Sequence, residues 1–232
     1  LINVKALILL LFGEFTQQDS KVCYDVLKPS SNLQEKRIPM NVFILCSGRT
    51  ASTALSAACQ HITNFTSAHE SRVNILSKIK LDYPDQHIEI DNRLIWFSEL
   101  LDEKFGKSAK YIHLTRDKHK VAASYAERWQ LTESIVKAYG HGILMKPKIA
   151  KSDRLQVCLD YVEFVEKKIE LFLKDKPESP KISVENLSDD FVKLWGFVGA
   201  QGNLEFALSE FDKRHNTNKL SFLGKIRNAL PI

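Results

Sequence analysis

Residues 41–53 read Asn-Val-Phe-Ile-Leu-Cys-Ser-Gly-Arg-Thr-Ala-Ser-Thr, and they decide the fold. The run 41–46 is short and almost wholly apolar. That pattern predicts a strand buried on both faces, as in a parallel sheet. A turn of small residues, 47–53, comes next. A helix then runs to about Cys59, rich in Ala and Ser, whose small side chains would let it lie close against the sheet.

Outward from this stretch, strand and helix patterns alternate. Short strands are expected at 61–67, 88–91, 110–115 and 182–184. Helices are expected at 72–81, 94–105, 118–129, 155–173, 187–198 and 204–211. The 94–105 helix carries Leu94, Ile95, Phe97, Leu100, Leu101 and Phe105 on one face, and Gly106 follows it as a C-terminal glycine should. Pro177 and Pro180 break the chain after the long helix. Strand, turn and helix in repetition mean an α/β fold with a central parallel sheet. In such sheets the ligand sits beyond the carboxyl ends of the strands. Two turns are therefore singled out, the one after Cys46 and the one after Thr115. The segment 130–152, with Gly140, Gly142 and Pro147, reads as a loop.

The chain has 232 residues, 44% hydrophobic and 26% charged, an ordinary globular composition for one domain. Thirty-three basic and 28 acidic residues leave a formal charge of +5. That mild excess suits an anionic small ligand. With no long arginine run and no zinc-finger spacing, nucleic acid is not expected as a partner. Cys23, Cys46, Cys59 and Cys158 are dispersed, so neither a disulfide framework nor a metal site is expected, and a reduced, cytoplasmic setting is the simpler reading. The apolar stretch 6–12 is far shorter than the ~20 residues that span a bilayer, so stable membrane insertion is not expected. Residues 13–39 are polar, and the first Met, Met40, directly precedes the strand signal. The expected organisation is an N-terminal appendage over 1–39 and a folded domain over 40–232.

The turn after Cys46 lies between a buried strand and a helix. A turn so placed aims backbone N–H groups and the helix dipole at one point, which makes an anion site. Arg49 adds a fixed positive fork, and Ser52 and Thr53 add hydroxyls. The simpler alternative is a hydroxyl-capped helix start with an exposed Arg. The pattern GxxxxGK[ST] of nucleotide triphosphatases is absent. The second turn ends the stretch Tyr111-Ile112-His113-Leu114-Thr115-Arg116-Asp117, and Ser124 follows Arg116 by eight residues.

These two motifs, in this order, resemble those of the sulfotransferases that use 3′-phosphoadenosine-5′-phosphosulfate (PAPS). Arg49-Thr50-Ala51-Ser52-Thr53 is similar to the family's 5′-phosphosulfate loop, with Ala51 where Gly is usual. Arg116 and Ser124 take the places of the family's 3′-phosphate ligands, a bidentate cation and a neutral donor. The resemblance covers roughly 41–218. It implies a three-layer P-loop-like fold with helices flanking the sheet. It also implies PAPS as co-substrate without a metal, and a small-molecule or glycan acceptor bearing a hydroxyl or amine. Ser47, Gly48, Arg49, Thr50, Ala51, Ser52, Thr53, Arg116 and Ser124 would hold the nucleotide, and Arg49 would also act in catalysis. Family members often close the 3′-phosphate site with a late basic segment, so Lys213 and Arg214, with Lys225, are candidates; a solvated basic tail is the alternative. Glu70, shortly before Arg72, resembles a catalytic glutamate kept by some members and is the expected general base, with His69 the second choice.

Two rival readings stay open. One is a P-loop kinase or nucleotide triphosphatase, with 88–91 as a short Walker B strand; Glu89 inside that strand and the missing Lys-Ser/Thr pair oppose it. The other is a non-catalytic relative that binds the nucleotide. His113 reads as a satisfied core histidine, His87, His119 and His141 have no special context, and Trp96, Trp129 and Trp195 read as core.

Overall fold

The computed structural model describes residues 40–132, 134–176 and 180–213. The expected 1–39 appendage lies outside the described residues, as do Arg214 and Lys225 of the basic tail.

Five strands form one sheet: β1 (Asn41–Leu45), β2 (Thr66–His69), β3 (His87–Ile90), β4 (Ala109–Thr115) and β5 (Lys181–Ser183). Their spatial order is β2-β3-β1-β4-β5, and every neighbouring pair is parallel. β1 is the centre, with Ile44 beside Ile90 on one side and Ile112 on the other. That placement explains its unbroken apolar run, since each β1 residue is at most 3% exposed.

Alternation along the strands divides the core in two. Phe43, Leu45 and Tyr111 point to one face, which is covered by α3 (Lys118–Ala126) and α5 (Arg154–Leu173). Val42, Ile44, Ile112 and Leu114 point to the other, which is covered by α1 (Ser52–Cys59), α6 (Leu187–Val198) and α7 (Leu204–Ser209). The result is a helix–sheet–helix sandwich. α5 stays in place through a stripe of Val157, Cys158, Tyr161, Val162, Val165 and Ile169, all buried. α1 lies close to the sheet through Ala54, Leu55 and Ala58. α6 ends at Gly199, whose φ of 66° lets Ala200 N–H reach back to the Trp195 carbonyl at 2.9 Å.

Four expected elements differ. The 72–81 helix does not form: the segment is turns followed by a single 3₁₀ turn, Lys78–Leu81. Asn74 and Ser77 adopt φ of 63° and 62°, and Ser71 is held by a distant carboxylate, so side-chain bonds outcompete the helical ladder. The 94–105 helix begins as 3₁₀, Leu94–Phe97, and becomes α2 at Ser98–Phe105. The 130–152 loop contains a short helix, α4 (Ile135–Ala138), continued by a π turn, Tyr139–Ile143. The strand expected at 61–67 lies further on, with Ile62 making an isolated bridge to Gly202.

Candidate active site

From β1 the chain moves to the β2–β3 side of the sheet, and from β4 it moves to the β5 side. The strand order therefore reverses between β1 and β4, which opens a crevice at their carboxyl ends. The two singled-out turns both lie there.

The turn after β1 has an unusual backbone. Gly48, Arg49 and Ala51 have φ of 81°, 57° and 55°. A left-handed conformation costs a residue with a Cβ roughly 1–2 kcal/mol, so Arg49 and Ala51 are held there by their surroundings. Such reversals point successive N–H groups into one concavity. Ala51 is also the N-cap of α1 and gives no side-chain cap. Gly48 is obligatory on two counts: its φ is positive, and a Cβ would collide with Tyr125 Oη and come within 2.7 Å of Asn92 Nδ2. Tyr125 and Tyr161 support the turn from below, donating to the Ser47 carbonyl at 2.8 and 3.2 Å.

Side chains draw the two motifs together. Arg49 Nε donates to Ser124 Oγ at 3.1 Å, and Arg116 Nη1 donates to the Arg49 carbonyl at 2.9 Å. Burial, then the nearby charges of Arg128 and Arg116, lower the proton affinity of the Arg49 guanidinium. Three guanidinium groups thus face one small region, and none of them forms an ion pair with a carboxylate among the described residues. A cluster of that kind favours a polyanion. The hydroxyl of Ser47 is buried without a hydrogen-bond partner, and that of Thr50 is buried against the Cys46 thiol. Cys46, beside them, has its thiol pushed up to about 12 by burial, so it is no nucleophile.

On the β2 side, His69 Nε2 stands 2.9 Å from Ser52 Oγ, at the mouth of the turn. Glu70 follows with φ of 51°, its N–H bonded to the Ile90 carbonyl at 3.0 Å. Its carboxylate makes no hydrogen bond among the described residues. Arg93, held mainly by Asp91, also feels the charge of Glu70. The turn is fixed from behind by Glu89, which is 0% exposed. Glu89 accepts from Ser71 N–H at 2.8 Å and from Ser71 Oγ at 2.6 Å, and His87 Nε2 lies 3.0 Å away. His87, read from sequence as unremarkable, therefore belongs to a buried network that continues to Thr66 Oγ1 at 2.8 Å. His113 is core, with Nε2 2.7 Å from Glu166 Oε2.

Of the residues expected at the site, 47–53, His69, Glu70, Arg116 and Ser124 come together. Lys213 does not join them: its Nζ pairs with Glu210 Oε1 at 2.7 Å, and that carboxylate also meets His61, beyond the far end of α1. Arg214 lies outside the described residues. Sequence reasoning missed Arg128 and Asn92, which carry no motif and reach the site only through the packing of α3 and of the turn after β3. Asp91, at the end of the strand compared with a Walker B segment, is taken by Arg93, with Nε 2.9 Å and Nη2 2.5 Å from its two carboxylate oxygens.

Comparison with solved structures identifies the class of fold. A sulfotransferase domain from the curacin biosynthetic pathway superposes with a TM-score of 0.53 at 14% identity, over 76% of this chain and 79% of that one. The mouse sulfotransferase SULT7A1, solved in complex with PAP, gives 0.51 at 14% identity, over 76% and 68%. No protein-family model matches the sequence, and no curated protein matches it. The fold is sulfotransferase-type.

Proposed function

We propose that the chain is a PAPS-dependent sulfotransferase, acting on a hydroxyl or amine of a small acceptor. The observation that carries the reading is the joining of the loop after β1 to the end of β4 and to α3, through Arg49, Arg116 and Ser124. Two phosphate-type sites are expected in one ligand that bears a 5′-phosphosulfate and a 3′-phosphate. Guanidinium groups without an ion pair among the described residues, the buried Ser47 hydroxyl and the start of α1, which has no side-chain cap, suit such a ligand.

In this reading Arg49 and the N–H groups of 50–53 face the phosphosulfate, while Arg116 and Ser124 face the 3′-phosphate. The acceptor oxygen or nitrogen attacks sulfur in line, and the bond from sulfur to the bridging oxygen breaks. Negative charge grows on that oxygen, where preorganised donors lower the barrier. The acceptor's proton goes to Glu70, or to His69 beside Ser52. Both stand at the carboxyl end of β2, on the same edge of the crevice as the loop.

The test is thermal unfolding with adenosine 3′,5′-bisphosphate, with ATP–magnesium in parallel. Ligand at 100 times its Kd adds about 2.7 kcal/mol, a rise of roughly 5–10 °C for a domain of this size. A rise with the bisphosphate that is absent in Arg116→Ala supports the reading. A rise with ATP–magnesium alone sinks it and favours a kinase.

A further inference from the structure

A cavity of about 170 Å³ opens between the 71–83 segment and the chain after β3. It continues across Lys80, Leu81 and Phe97 into an open groove of about 690 Å³. The link to the loop runs through Asn92. Asp91 and Arg93 line the cavity, and Asn92 between them lies against Gly48 and bonds Tyr125. Arg72, two residues after Glu70, lines it from the other side.

Its body is apolar, with Leu76, Leu81, Leu94 and Phe97 in the wall. Its polar groups are one-sided. Arg72, Lys80 and Arg93 face a single acid, Asp91, which Arg93 already engages. Arg72 Nε is buried without a partner, although the same guanidinium bonds the Asp82 carbonyl and lies over the Tyr83 ring. Lys80 Nζ lies over Phe97 at 4.4 Å and makes no ion pair among the described residues. Glu70, Asn74 and Ser77 hold the bordering segment in left-handed conformations, a strain that persists only where the surroundings impose it. A cavity near 150 Å³ is large enough for one benzene ring.

We infer that this cavity takes the acceptor, and that the acceptor is a hydroxy compound with a small apolar or single-ring body and one carboxylate. The inference rests on the sulfotransferase reading. The carboxylate meets Arg72 and Lys80, and the hydroxyl is turned toward Glu70 and the loop. A cationic acceptor would meet like charge, and a neutral one would leave the charges of Arg72 and Lys80 without a counter-charge in the cavity.

The test is calorimetric binding to protein saturated with adenosine 3′,5′-bisphosphate, so that no turnover intervenes. The probes share a phenol: 3-(4-hydroxyphenyl)propionate, 4-propylphenol and tyramine. The acid should bind at least about tenfold tighter than 4-propylphenol, since a hydrogen bond to a charged group carries that much, and tyramine should bind most weakly. Lys80→Gln, a rim substitution, should cost the acid about threefold or more and leave 4-propylphenol and the bisphosphate unchanged. Arg72→Gln should remove the preference altogether. If 4-propylphenol or tyramine binds as tightly as the acid, or none of the three binds while the bisphosphate does, this inference falls and the sulfotransferase reading stands. If the bisphosphate itself fails to bind, both fall.

Discussion

Arg49 donates to Ser124 across 3.1 Å, and the two residues are 75 positions apart in the chain. The bond ties the turn after β1 to α3, so one helix orients the cation of the loop. The hydroxyl is a neutral partner, and its loss should be felt mildly. Ser124→Ala should weaken adenosine 3′,5′-bisphosphate about three- to tenfold, the worth of an ordinary hydrogen bond. Arg49→Ala should lower turnover about 10²–10³-fold, as the loss of a preorganised donor does elsewhere. Calorimetry and steady-state kinetics read the two. Equal effects on binding and turnover from both variants would contradict the division of labour.

Gly48 has no room for a methyl group. Gly48→Ala meets Tyr125 Oη and Asn92 Nδ2 and is strained at a φ of 81°. Overpacking and strain together should cost about 2–4 kcal/mol and abolish bisphosphate binding. Adding Tyr125→Phe removes one of the two obstacles and should return part of the stability but not the binding. Unfolding curves in urea check the first and ligand titration the second.

Glu89 should matter out of proportion to its distance from any ligand. Glu89→Ala orphans Ser71 N–H, Ser71 Oγ and His87 inside the protein. A loss of about 3 kcal/mol is expected, from a partner removed in a buried charged network. For a chain of this size that lowers Tm by roughly 6–12 °C. The conservative Glu89→Gln should lose less, because its amide oxygen still accepts from Ser71 N–H. A Tm within 2 °C of wild type for Glu89→Ala, ~0.5 kcal/mol by the same scaling, would show that the network carries no load.

Glu210 gives the pH dependence its sign. Lys213, and then His61, hold its carboxyl at about 2, against an ordinary value of 4.5. The folded protein thus prefers the ionised form. The stabilisation is complete above the ordinary value and disappears as pH falls from there toward 2. Glu210→Gln should therefore flatten the Tm–pH profile between pH 5 and 2 by lowering its neutral end, and leave its acid end nearly unchanged. The pair stands at the surface, so added salt should shrink the difference.

Those four sites differ in how far the sequence announces them. β1 and β4 were legible because a central parallel strand must be apolar on both faces, and Asn41–Leu45 is buried throughout. Arg49, Arg116 and Ser124 were picked out by their resemblance to the sulfotransferase motifs, and the fold brings the three together. The clamp on Ser71 was not legible. Glu89 in the middle of an apolar strand reads as an anomaly until the 71–74 turn is seen to wrap onto it, and that same wrapping is what cancels the helix periodicity of 72–81. Arg128 was hidden for a different reason. It lies just past α3, and only the packing of that helix against α5 turns it toward Arg49. Lys213 shows the converse error: a basic residue in a basic tail, drawn to the nearest carboxylate rather than to a distant phosphate.

The sheet order has a consequence for how the chain is made. β1 is synthesised before both of its partners, β3 and β4, and the second of these ends at Thr115. Until then the most apolar strand of the protein has at least one bare edge, and an unpaired edge of that kind is a template for other chains. Parallel pairing over such separations is also slow. At ribosomal speeds of about 5–20 residues per second, Asn41–Leu45 waits several seconds for its second neighbour. The expression of this protein should respond to chaperones that shield nascent strands more than to anything done to its finished surface.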